Sequence, residues 1–161
     1  MAVIDPLAEH WESSDHALVR RVKAAQATRD EWWEAPWRMG HADCVRMAAS
    51  HLRRMGHTVR LPPAGSYRSV RSATMKLNAR GFASLADAMD KMGFPRIAPA
   101  AALVGDVIEL PSEIGELGTL TVALGNGRVL GWHDDAPKGA CVLQPVDWIA
   151  AWRVEPKDGG R

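Results

Sequence analysis

Apolar side chains recur at helical spacing in the first half of the chain and alternate in the second. Leu18, Val22 and Ala25 mark one helix, with Ser13, Ser14 and Asp15 as candidate N-caps. It runs into Trp32, Trp33 and Trp37, and Pro36 stops it. Val45, Ala48, Ala49 and Leu52 give a second helix, capped at Asp43 or the residues just before it, reaching about Met55 and ended by Gly56. Pro62, Pro63 and Gly65 make a loop. Ser69–Asn78 reads as a short helix closed by Gly81. Ser84–Met92 reads as another, with Ser84 and Asp87 spaced as a capping box and Gly93 as its stop.

After Pro99 the texture becomes extended. Strands are expected over Asp106–Leu110, Thr119–Leu124, Arg128–Trp132, Ala140–Leu143 and Ala151–Val154, with a turn of helix at Pro145–Ile149. Gly125-Asn126-Gly127 between two apolar runs is a strong hairpin signal, because these residues tolerate positive φ. Helices first and antiparallel strands after is the order of an α+β domain, N-terminal helices packed on a small antiparallel sheet. The organisation expected is an arm over 1–12, broken at Pro6, one domain over 13–154 and a polar tail over 155–161.

Composition changes this picture little. The chain has 161 residues, enough for one domain with a core, and 47% hydrophobic with 24% charged residues is an ordinary globular balance. Its formal charge of +1 gives no reason to expect nucleic acid as a partner. The charge is uneven, however. From Arg20 to Arg80 basic residues dominate, among them Arg29, Arg46, Arg53, Arg54 and Lys76. They are either solvated helix faces or a surface for phosphates or an acidic partner. No apolar run reaches the ~20 residues of a membrane span, and no leader pattern opens the chain. Cys44 and Cys141 are too few and too far apart for a disulfide framework, which fits synthesis in a reducing cytoplasm.

Cys44 is the residue on which chemistry would turn. In the first turn of a helix a thiol meets the positive end of the macrodipole, which favours thiolate; alternatively it is a small buried hydrophobe. His41 and His133 are the candidate bases. His41 and Cys44 also stand at a ligand-like interval, to which His133, Asp134 and Asp135 could add. With no Cys-x-x-Cys or His-x-x-x-His pair, no metal is expected. Walker and Rossmann glycine patterns are missing, so no nucleotide cofactor is expected either.

The segment Pro36-Trp37-Arg38-Met39-Gly40-His41-Ala42-Asp43-Cys44 resembles the nucleophile segment of the papain-like NlpC/P60 family, with the Trp displaced. Ala102-Leu103-Val104-Gly105-Asp106-Val107-Ile108 resembles the family's Gly-Asp strand, and Leu120–Val129 its hairpin, all in the same order. Ala151-Trp152-Arg153-Val154 looks like the ending of a shorter, phage tail-associated branch. The resemblance implies a papain-like fold from about Asp30 to Val154 with Cys44 as nucleophile. It also places Thr119 where an active member carries its histidine, and Gly131 where it carries the residue that orients that histidine.

The implied function is a structural or assembly component of a bacteriophage tail, at the tail tip, on a scaffold whose hydrolase chemistry has decayed. Its partners would be other tail proteins, and its location the virion tail, assembled in the bacterial cytoplasm. The alternative is an active cysteine peptidase or amidase that cuts peptidoglycan peptides of the bacterial cell wall as the phage enters. There Cys44 attacks and His133 or His41 replaces the missing base. A stand-alone cellular binding module is a third reading.

Overall fold

The computed structural model describes residues 16–112 and 115–158. The arm over 1–12, with Pro6, and the candidate caps Ser13, Ser14 and Asp15 lie outside them. Four helices are described: α1 (Ala17–Trp32), α2 (Cys44–Arg54), α3 (Val70–Ala79) and α4 (Leu85–Lys91). Six strands follow: β1 (Arg96–Ile97), β2 (Val107–Leu110), β3 (Thr119–Gly125), β4 (Arg128–Gly131), β5 (Cys141–Leu143) and β6 (Ala150–Trp152). They form one sheet in the order β1-β6-β2-β3-β4-β5, every neighbour antiparallel. The chain is a mixed α+β domain.

The caps at Asp43 and Ser84 are those the sequence offers. Asp43 caps α2, Ser69 caps α3 and Ser84 caps α4. The α3 cap is a reciprocal box between Ser69 and Ser72. At α4 the Asp87 carboxylate reaches past Ser84 and accepts the N–H of Ala83 instead. Helix α1 is capped by His16, whose Nδ1 accepts the N–H of Leu18. Asn126 (φ 53°) and Gly127 (φ 72°) turn the β3–β4 hairpin, both in the left-handed region that such a tight turn requires.

Helix α2 lies against the sheet. Its Met47 is fully buried with Val122 of β3 and Leu130 of β4, beside Trp32 at the end of α1. Leu52 and Met55 meet Val107, Trp152 and Val154. On the other face of the sheet Ile108, Ala123, Val129 and Ala151 are covered by the loop residues Ala102 and Trp148. Burying each large apolar side chain contributes roughly 1.5–3 kcal/mol.

The sheet has a strand that the hydrophobic pattern misses. Two-residue β1 pairs with β6, and its Arg96 forks onto Asp90 of α4 through two 2.8 Å bonds. The indole N–H of Trp152 gives Asp90 a third. The helix expected at Pro145–Ile149 does not form. Ile149 donates its N–H to Glu109 of β2, and the indole of Trp148 bonds back to the Pro145 carbonyl, so the segment reaches β6 as an irregular stretch with a bend at Val146.

The basic half is neither a free face nor a solvated one throughout. Arg46 donates to the carbonyls of Gly40 and Pro62, Arg53 to Val59, and Arg80 to Arg60. These guanidinium groups clip loop carbonyls that no helix or strand satisfies. Of the polar tail, Lys157 donates its N–H to Met55, and its carbonyl accepts from Arg20.

Candidate functional site

Cys44 occupies the first position of α2 because Asp43 ends the preceding loop. One Asp43 oxygen accepts the N–H of Arg46 at 3.0 Å; the other accepts the N–H of Gly40 and the hydroxyl of Tyr67, each at 2.8 Å. Gly40 has φ +82°, and a Cβ there would stand 2.1 Å from the Tyr67 carbonyl oxygen. Only glycine lets these two backbones meet. Burial and the neighbouring Asp43 charge raise the Tyr67 hydroxyl well above the usual range, which keeps it a donor.

The helix start opens on a cleft of about 520 Å³. Cys44 lines it with Trp37, Thr119, Gly131, Trp132 and His133. Cys44 is only partly exposed. Burial, the largest influence, pushes its thiol up to about 11; the Asp43 charge adds to this, and the backbone amides of Leu120 and of the helix start oppose it. The helix N-terminus is thus outweighed by desolvation. At neutral pH such a thiol is thiolate in about one molecule in ten thousand.

His133 and Cys44 share the cleft, but no hydrogen bond joins them. His133 is exposed, and its Nδ1 accepts the N–H of Asp135 at 3.1 Å. In the neutral ring that acceptor role places the proton on Nε2, so neither nitrogen offers a free lone pair to the thiol. His41 is exposed and turns elsewhere. Its ring rests on Gly65, where a Cβ would be 3.2 Å from Nε2, and it does not line the cleft. Thr119 and Gly131 do line it, without a titratable side chain near neutrality. The space beside Gly131 is tight: a Cβ there would lie 3.2 Å from the Thr121 methyl.

Among the described residues no three His, Cys, Asp or Glu side chains converge as a metal site. Cys141 sits apart on β5, its thiol raised by burial. No described helix is long and apolar enough to cross a membrane. Of the tryptophans, Trp32 is buried, whereas Trp33 and Trp37 are 43% and 46% exposed, enough for either to contact another molecule. Arg29 stacks on Trp33 at 4.4 Å.

Sequence reasoning missed Tyr67, which holds the loop before Cys44 from 24 residues away. As the one tyrosine of the chain it carries no local pattern that ties it to Asp43.

A family model described as "Domain of unknown function (DUF6950)" matches residues 15–154. No curated protein matches the chain.

Proposed function

We propose that this chain, which belongs to the DUF6950 family, is a structural or assembly component of a bacteriophage tail, built on a papain-like scaffold of NlpC/P60 type that has lost hydrolysis. The observation that carries the loss is the state of Cys44. Its thiol is raised to about 11, and no hydrogen-bonded base stands beside it. A nucleophile with neither thiolate character nor a proton carrier forgoes the roughly 10²–10⁴-fold that a positioned acid–base supplies. The exposed Trp33, with Arg29 stacked on it, and the exposed Trp37 are the contact surface this reading assigns to other tail proteins.

The alternative remains a cysteine peptidase or amidase acting on peptidoglycan. One observation favours it: Cys44 and His133 line one cleft. Substrate binding would have to detach His133 from Asp135.

Two experiments test the proposal. Proteomics of purified phage particles from a host carrying the gene should find the chain in the tail, and its absence from assembled tails would refute the location. Peptidoglycan digestion by the purified chain should equal that of Cys44→Ala. Robust cleavage lost in the variant would promote the hydrolase.

A further inference from the structure

We propose that the cleft beside Cys44 is a docking groove for the chain's own first fifteen residues, Met1–Asp15. This holds whether or not Cys44 is catalytic. The floor of the cleft is apolar, with Ala49, Leu52, Leu77, Leu85 and Met89 facing it. At its edge stand Arg60, Lys76 and Arg80, all exposed. Two carboxylates line it. Asp43 is buried and committed to Gly40, Arg46 and Tyr67, and Asp134 lies beside His133. The groove therefore suits an acidic segment with apolar anchors.

Residues 1–15 are such a segment. They carry Asp5, Glu9, Glu12 and Asp15 and no Lys or Arg, with Val3, Ile4, Leu7 and Trp11 between them. The complementarity is of charge as well as of apolarity.

The path is short. The described chain begins at His16, and Arg20, one turn later, donates to the Lys157 carbonyl at 2.8 Å and to Asp158 at 3.2 Å. Lys157 and Asp158 border a second depression with Gly56, His57 and Met92. Met92 also lines the main cleft, so the two concavities adjoin there. Helix α2, which separates this end from Cys44, is about 16 Å long, whereas fifteen residues reach up to about 50 Å. Covalent attachment gives the segment an effective concentration of order millimolar, so even a weak contact is populated.

The test reads Cys44 itself, in a Cys141→Ser background, since Cys141 does not line the cleft. Alkylation by N-ethylmaleimide is followed in the full chain, in a chain lacking residues 1–15, and in a full-length Leu7→Asp/Trp11→Asp variant. Both altered chains are expected to label about tenfold faster. A synthetic peptide of residues 1–15 should slow the truncated chain again, and should fail to do so on an Arg60→Glu/Lys76→Glu background. Equal rates in the full, truncated and Leu7→Asp/Trp11→Asp chains would overturn the proposal, as would a peptide without effect. Should the truncated chain not fold, the full-length double variant decides. Protection that vanishes on dilution, with a dimer seen by light scattering, would assign the groove to a second copy and overturn the intramolecular assignment.

Discussion

The Arg21 guanidinium lies 2.9 Å from the Asp106 carboxylate, and both side chains are withdrawn from solvent. Asp106 also accepts the N–H of Leu103 at 2.8 Å and of Val154 at 2.9 Å. One carboxylate thus ties α1, the turn before β2 and the residues after β6. Removing it leaves the buried Arg21 cation with only the Val104 carbonyl and the exposed Glu155, and deprives the Val154 and Leu103 amides of their acceptor. Asp106→Ala is expected to lower unfolding free energy by about 3–5 kcal/mol in urea titration. Asp106→Asn, which keeps an acceptor, should lose less. An alanine variant within about 1 kcal/mol of the parent would contradict the pairing described.

Acid should weaken the fold through His51. This residue is fully buried; its Nε2–H donates to the Gly105 carbonyl at 2.8 Å, and its Nδ1 lies 3.0 Å from the Thr28 hydroxyl. Burial, with the Gly105 contact opposing, lowers its pKa from 6.5 to about 4. Between those values the unfolded chain binds a proton that the folded chain refuses. Stability from this group is complete above about pH 6.5 and falls as pH drops toward 4, by roughly 3 kcal/mol in all. Denaturation curves at stepped pH should show that slope. A stability flat through this window would mean that the ring titrates normally.

The elements that could be read from the chain are those whose cause is local. Asp43, Ser69 and Ser84 cap the next turn of their own helices, and Asn126-Gly127 bends its own hairpin. The elements that escaped depend on distant partners. Strand β1 exists because Arg96 finds Asp90 and because β6 lies beside it. Pro145–Ile149 forms no helix because a β2 carbonyl takes the N–H of Ile149. At the site, the position of Cys44 at a helix start was legible. Its raised thiol was not, because Cys44 is desolvated by packing against an apolar cluster drawn from segments remote in sequence. The helix-dipole argument alone gives the opposite sign.

Gly139 should be intolerant of a side chain without needing an unusual φ. A Cβ there would meet the Trp33 carbonyl oxygen at 1.9 Å and the Ala35 nitrogen at 3.0 Å. Next to it the Ala140 N–H donates to the Trp32 carbonyl, so the loop after β4 is stitched to the end of α1. Gly139→Ala is expected to cost about 2 kcal/mol or more through backbone displacement. Gly81→Ala, at φ +86° in open space, should cost only about 1 kcal/mol. Thermal melts of the two variants side by side check the ranking.

Alkylation of Cys44 should keep rising with pH through 9 and 10, without the plateau near neutrality that an activated nucleophile shows. This follows from a thiol at about 11, and the rate tracks thiolate fraction. Iodoacetamide kinetics in a Cys141→Ser chain measure it. Half-maximal reactivity below about pH 8 would show an activated cysteine.

A histidine introduced at Thr119 should not confer catalysis. Thr119 precedes Leu120, whose backbone amide favours the Cys44 thiolate, and both residues line the cleft with the cysteine. Thr119→His therefore places an imidazole on the wall of that cleft. When protonated it stabilises the thiolate, so alkylation at neutral pH should increase, by about tenfold. Turnover needs more than a lower pKa. The ring must be held in one orientation and tautomer to take the thiol proton and deliver it to the leaving amine. Under the proposed NlpC/P60-type reading, the position that would hold it is Gly131, which has no side chain. Adding one is tight, because a Cβ there would stand 3.2 Å from the Thr121 methyl, which must give by a few tenths of an ångström, and in ordinary contact with Leu143 at 3.4 Å. The expected result is faster labelling without muropeptide cleavage, in Thr119→His and in Thr119→His/Gly131→Asn alike. Cleavage by the single variant would show that an orienting group other than residue 131 already stands in the cleft, and would return the chain to the hydrolase reading.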